Sequence, residues 1–193
     1  MTTQEIRWLR RAYHLSGIPI SLIYWFCFGE EEKTTAILIL LALITVYFGF
    51  DLVKWRSQRV RDWMVNRLSA IATPRDLKFL NSSTTYLIGC TLTIVLFSAP
   101  AAVAGILMLA LGDNVASIVG RLWGRHRVGN KSLEGTAAFL AVGWLSILPF
   151  GSPLTAFIAA LFGALAELFT GRIDDNLTVP LLAALGFELA SYL

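Results

Sequence analysis

The sequence predicts an all-α, polytopic membrane helical bundle of about seven transmembrane helices, and three observations carry that prediction. First, 56% of the 193 residues are apolar and only 15% are charged, whereas soluble domains run near 25% charged. Second, a mean hydropathy of +0.65 accompanies long apolar runs bounded by charge, glycine or proline. Third, no run alternates in the manner of a membrane β-barrel, so the spans are helical. A span needs about 20 residues, so seven use about 140. The remainder cannot build a separate soluble domain, and residues 1–193 read as a single integral membrane domain. Chemistry must then sit at helix ends and in short loops.

Leu15–Gly29 is the first run, short and carrying Pro19. A basic segment precedes it, as in a signal peptide. However, Phe28-Gly29-Glu30-Glu31-Glu32 lacks a small-x-small cleavage site, so the run is read as retained. Thr34–Phe50 is the second run, and the polar, basic stretch Asp51–Leu80 follows. That stretch is expected to hold an interfacial amphipathic helix, with Trp55 and Trp63 at headgroup depth. Tyr86–Val119 has one charge, Asp113, and is too long for one span; Ser98-Ala99-Pro100 divides it into spans three and four. Thr136–Phe169 likewise has one charge, Glu167, and breaks at Pro149-Phe150-Gly151-Ser152-Pro153 into spans five and six. Leu177–Leu193 is the seventh, with Glu188 near its end as a solvated or capping residue. A cytoplasmic N-terminus places 15 of the 16 Lys and Arg residues in inner segments and only Lys33 outside. Cys27 and Cys90 lie in apolar runs, without disulfide or zinc spacing.

This topology gathers three polar clusters on the cytoplasmic face. The first is Leu111-Gly112-Asp113-Asn114-Val115-Ala116-Ser117-Ile118-Val119-Gly120-Arg121. A carboxylate at a span centre costs roughly 2.5–3.5 kcal/mol on insertion scales and needs a cation, a proton or water. Asp113, Ser117 and Arg121 share one helix face. Gly112, Ala116, Gly120 and Gly124 form a small-residue stripe that admits another helix. Asp113 is either a metal-binding carboxylate or an assembly partner of Arg121.

The second cluster is the loop 120–135, with the four glycines Gly120, Gly124, Gly129 and Gly135, the cations Arg121, Arg125, Arg127 and Lys131, and also Ser132 and Glu134. Glycines permit close backbone approach, and cations neutralise phosphate. The spacing misses the P-loop pattern by one residue, and no strand precedes it. The loop is either a phosphate cradle or an ordinary positive-inside loop. The third cluster joins Glu167 to Asp174, Asp175 and Asn176. Hard oxygen ligands beside a phosphate site suit Mg2+; helix capping by Asn176 or Thr178 is the alternative there. His14 closes a basic string where span one enters the membrane, as a structural residue or a proton relay.

These residues resemble the membrane lipid-alcohol kinases, a family that includes dolichol kinase, phytol kinase and CTP-dependent diacylglycerol kinase. The resemblance rests on Leu111-Gly112-Asp113-(x)3-Ser117-(x)2-Gly120-Arg121-(x)2-Gly124-Arg125 and Lys131-Ser132-Leu133-Glu134-Gly135. It extends to Glu167, to Asp174-Asp175-Asn176-Leu177-Thr178-Val179-Pro180 and to Arg10-Arg11-(x)2-His14-(x)2-Gly17. Where bacterial relatives often carry a Thr-Gly-Ala-Thr-like string, this chain has Asn81-Ser82-Ser83-Thr84.

The resemblance implies transfer of the γ-phosphate of a nucleoside triphosphate, usually CTP, to the hydroxyl of a lipid alcohol such as polyprenol, phytol or diacylglycerol. Asp113, Glu167 and His14 are then expected at the reacting atoms. Ser117, Gly120, Arg121, Gly124, Arg125, Lys131, Ser132, Glu134 and Asn176 are expected on the nucleotide, and Asp113, Glu167, Asp174 and Asp175 on Mg2+. The expected partners are nucleotide, lipid alcohol and bilayer, with no nucleic acid. A cytidylyltransferase making a CDP-lipid would use similar parts. An ion-coupled transporter would use Asp113 and Glu167 but has little need of the Gly/Arg/Lys/Ser loop.

Overall fold

The computed structural model describes residues 14–68, 80–169 and 173–193. Its helices are α1 (Gly17–Phe28), α2 (Lys33–Arg56), α3 (Gln58–Leu68), α4 (Ser82–Leu96), α5 (Ala99–Leu122), α6 (Leu133–Ile147), α7 (Pro153–Phe169) and α8 (Asp175–Ala190). The all-helical expectation holds, with one small addition. Arg127–Val128 (β1) and Lys131–Ser132 (β2) pair antiparallel between α5 and α6. The two-residue turn places Gly129 at φ +59°, where a type II′ hairpin takes glycine.

Both breaks expected inside the long apolar runs occur. Ser98 caps the start of α5, with Pro100 in its first turn, and Gly151-Ser152 separates α6 from α7. The first break is tied down by acids. Glu188 accepts from the Ser98 N–H at 3.2 Å and the Ser98 hydroxyl at 2.5 Å, and Glu30 accepts from the Ala99 N–H. Glu188 is therefore a cap.

Helix α5 is the axis of the bundle. Its apolar stretch is 67% buried, against 17% for α2 and 22% for Leu133–Phe150, so the last two present most of their apolar surface outward. These three helices are long and apolar enough to cross a membrane; Gly17–Phe28, Ser82–Leu96 and Pro153–Phe169 are shorter apolar helices. A surface of exposed Leu, Val, Phe and Trp along α2 and α6 belongs to a membrane protein. Around α5 pack α1, α4, α6, α7 and α8. The contacts are close because the facing residues are small: a Cβ on Gly105 would lie 2.3 Å from the Pro180 carbonyl oxygen.

Two local features depart from the sequence reading. Helix α2 runs six residues past Phe50, because Asp51 and Lys54 pair one turn apart at 2.5 Å and both are fully buried. The polar stretch therefore begins after α2, with α3 as its helix. Trp63 on α3 is 50% exposed and Trp55 at the end of α2 is 40% exposed; residues 69–79 of the stretch lie outside the described residues. The second feature is a π-helical turn, Met108–Gly112, inside α5. Such turns re-aim the residues that follow and recur at functional sites. Here Asp113 follows, and Asn114 Nδ2 donates to the Ala110 carbonyl at 2.6 Å.

Candidate functional site

The three clusters separated in sequence meet in one cavity of about 880 Å³. Its lining takes Asp113, Ser117, Gly120 and Arg121 from α5 and Lys131 and Ser132 from the hairpin. Glu167 comes from the end of α7, Asp174, Asp175 and Asn176 from the start of α8, and His14 from the entry to α1. Gly124, Arg125 and Glu134 are not in the lining. Arg10 and Arg11 lie outside the described residues.

Lys131 is the centre. Its Nζ lies 2.8 Å from Glu167 Oε1, 2.8 Å from Asp175 Oδ2 and 4.0 Å from Asp113 Oδ1. Three chain segments thus converge on one ammonium. Partial burial by itself lowers the Lys131 pKa; the carboxylates of Asp175 and Asp113 overcome that and raise it above the ordinary value of 10.5. Asp175 precedes the apolar run that starts at Leu177, and burial raises its carboxyl against the opposing pull of Lys131. Asp113 and Glu167 add to that rise by repulsion. Glu167 is 3% exposed, and its second oxygen accepts from the Thr136 hydroxyl at 3.1 Å.

The small-residue stripe does what its spacing implies. A Cβ on Gly112 would lie 2.8 Å from the Phe139 ring, and one on Gly120 would lie 2.8 Å from Ser132 Oγ. A Cβ on Gly135 would meet the Ala116 carbonyl at 2.8 Å. Ser132 is the N-cap of α6, its Oγ accepting from the Gly135 N–H at 3.1 Å. This close packing of α5 on α6 brings Lys131 to Asp113.

Arg121 Nε donates to the Ser117 carbonyl at 2.8 Å and its Nη2 to Ser117 Oγ at 3.2 Å. Glu134 instead holds the loop: it accepts from His126 N at 3.2 Å and pairs with His126 Nδ1 at 2.7 Å. Asp174, rather than Asn176 or Thr178, is the N-cap of α8, accepting from the Asn176 N–H at 3.1 Å. This follows from its extended backbone at ψ 126°, since a cap residue stands outside the helix. His14 is 8% exposed and packs edge-on against Tyr86, whose hydroxyl donates to the His14 carbonyl at 3.0 Å. Gly17 makes room: a Cβ there would be 2.1 Å from the Tyr86 oxygen.

Among the lining residues to which the sequence assigns no individual role are Arg127 and Asn114. Arg127 Nη2 donates to the Gly120 carbonyl at 3.1 Å, and only its place in the basic loop marked it. Asn114, beside Asp113, gave no signal, because its role depends on the π turn.

The fold and cavity define a helical membrane protein that holds a partly buried carboxylate–lysine site at the ends of its helices. The chain is similar to several lipid kinases. The chain is 38% identical over 105 residues to a phytol kinase of Synechocystis, covering 48% of this chain and 45% of the relative. It is 28% identical over 204 aligned positions to a dolichol kinase of Arabidopsis thaliana, covering 90% of this chain and 33% of the relative. It is 31% identical over 122 residues to a CTP-dependent diacylglycerol kinase of Schizosaccharomyces pombe, covering 51% of this chain and 55% of the relative. The chain thus spans less than two thirds of each of these relatives. These are the lipid-alcohol kinases that its motifs resemble. No family model matches the chain, and no solved structure does.

Proposed function

We propose that this protein is a membrane kinase that moves the γ-phosphate of CTP to the hydroxyl of a lipid alcohol at the cytoplasmic face. The observation that carries the reading is the convergence of Asp113, Glu167 and Asp175 on Lys131, with cationic Arg121 and Arg127 at the same cavity. Phosphoryl transfer is mostly positioning and charge neutralisation, and this is the donor set it needs. In the reaction the lipid oxygen bonds to the γ-phosphorus, the bond to the β-phosphate oxygen breaks, and CDP leaves. The hydroxyl proton passes to a carboxylate or to His14.

Mg2+ fits the residues present. Three carboxylates already gather on one cation, although among the described residues no group of three His, Cys, Asp or Glu is spaced to hold a metal alone. Magnesium is commonly held by one or two carboxylates together with substrate phosphates. Asp113, Glu167 and Asp175, with Asp174 beside them, would hold it, and it would offset the negative charge of the phosphates. Lys131 and Arg121 bind phosphate oxygens; Asp113 or Glu167 orients the attacking hydroxyl.

The proposed topology has seven spans with the N-terminus inside, which puts the cavity where nucleotide is available and helix ends meet lipid hydroxyls. The test is purified protein with γ-labelled CTP or ATP and a panel of polyprenol, phytol, farnesol and diacylglycerol. Labelled lipid phosphate with release of CDP supports the reading. Pyrophosphate release with a CDP-lipid product makes it a cytidylyltransferase instead.

A further inference from the structure

The Asp51–Lys54 pair lies outside the cavity lining and is fully buried. A buried ion pair is poor evidence of stability, because desolvation offsets much of the Coulomb gain. What these charges touch is more informative. Asp51 accepts the Asn81 N–H at 3.2 and 3.3 Å through its two oxygens and the Thr84 hydroxyl at 2.7 Å. Asn81 is the N-cap of α4 and makes no side-chain cap of its own. Asp51 thus caps α4 from another helix, a carboxylate at the positive end of the helix dipole.

That same turn of α4 holds the candidate site. Asn176 Nδ2 donates to the Ser82 carbonyl at 3.4 Å and Thr85 Oγ1 at 3.3 Å. One turn on, Tyr86 binds the His14 carbonyl. Then Gly89 receives the backbone of α8: a Cβ there would lie 1.9 Å from the Asn176 carbonyl oxygen. Pro180, four residues after Asn176, has no N–H for that carbonyl, which lets it press outward against α4. The start of α8, carrying Asp174 and Asp175, is therefore seated on the first turns of α4, and those turns are fixed by Asp51.

We propose that Asp51, acting through Thr84 and the first turn of α4, is a positioning residue that sets Asn176 and thereby the acids at the start of α8. Lys54 Nζ, 2.5 Å from Asp51 Oδ1, holds that carboxylate in place. The kinetic consequence rests on the kinase reading; the structural coupling does not.

Thr84→Val tests this without leaving Lys54 as an unpaired buried charge, and Thr84→Ser is the conservative restoration. The first readout is amide hydrogen exchange over residues 81–85, 147–153 and 176–178. Exchange at 176–178 should quicken about tenfold in Thr84→Val, return in Thr84→Ser and stay unchanged at the distant 147–153 break. Unchanged exchange at 176–178, or equal quickening at both places, overturns the proposal. The second readout is turnover with Mg–CTP. Thr84→Val should lower kcat about tenfold or more, the scale on which misplaced groups lose rate, with KM for nucleotide within about threefold. In an Asn176→Ala background the same change should cost less than about threefold, because both act on one contact. Losses that multiply, or a Thr84→Val protein with wild-type kcat, refute it. If the wild-type protein transfers no phosphate, the functional proposal fails by itself, and the exchange result still decides the coupling.

Discussion

Replacing Asp113 with asparagine separates catalysis from assembly at one position. The carboxylate lies 4.0 Å from Lys131 Nζ, whereas Glu167 and Asp175 each lie 2.8 Å from it. Each of those acids is therefore within about 7 Å of the Asp113 oxygen. At an effective dielectric of about 20, the attraction to Lys131 amounts to about 4 kcal/mol, and each repulsion to about 2 kcal/mol. Attraction and repulsion nearly cancel, so Asp113→Asn should change unfolding free energy by no more than about 1 kcal/mol. A group that orients the attacking hydroxyl or holds the metal contributes far more to the barrier, about 10²–10⁴-fold in rate, or about 3–5 kcal/mol. The assay pairs a detergent thermal melt with single-turnover transfer from labelled CTP. Expected is a near-unchanged melt with transfer lowered at least about a hundredfold. A protein that melts earlier yet transfers phosphate within about tenfold of wild type would refute the site as drawn.

Three further outcomes follow from the same geometry. Lys131 has a raised folded pKa, so its contribution to stability is fully present below its ordinary value of 10.5 and is lost as pH rises through the higher folded value. The melting difference between wild type and Lys131→Met should therefore stay constant to about pH 10 and close above it; a difference that closes near neutral pH assigns the effect to another group. Gly105→Ala would place a Cβ 2.3 Å from the Pro180 backbone oxygen, so it should destabilise the bundle by about 1–3 kcal/mol in thermal melts, and an unchanged melt contradicts the α5–α8 contact. Single cysteines at Asn130 and at Ile173 should react with impermeant reagent only from the cytoplasmic side; labelling of either from outside removes the proposed topology.

The parts of this fold legible in the sequence are those written in composition and punctuation. Ser98-Ala99-Pro100 and Pro149–Pro153 break apolar runs too long for one span, and the chain turns at both. The stripe Gly112, Ala116, Gly120 and Gly124 marked a close helix contact, and α6 fills it with Phe139, Gly135 and Ser132. The presence of Asp113 and Glu167 at the cavity was legible too, because lone charges in apolar runs must meet one another or a ligand, whereas Gly124, Arg125 and Glu134 stay out of the lining. Lys131 was read as a phosphate contact alone, and nothing in its local sequence showed it gathering acids from 18 residues before it and 36 and 44 after it. Asp51 and Lys54 were hidden for a related reason. In a stretch rich in Arg and Lys they look like surface charges, and the distant partners Asn81 and Thr84 help make their burial tolerable.

Two further devices, not visible in the sequence pattern, act on two of the helices that line the cavity. The π turn at Met108–Gly112 changes the register of α5 just before Asp113, with Asn114 donating to the Ala110 carbonyl of that turn. Pro180 has no N–H for the Asn176 carbonyl of α8, and Gly89 of α4 leaves room for that carbonyl. A regular helix would carry its acids wherever 3.6 residues per turn put them. Asp113 and Asp175 must instead reach one ammonium from two different helices, while the remainder of α5 and α8 stays packed through Ala and Gly contacts. Local departures from helical regularity meet both demands at once. The π turn and Pro180 accordingly lie within a few residues of the cavity acids, while the Ala99–Leu107 stretch, farther along α5, is regular α-helix.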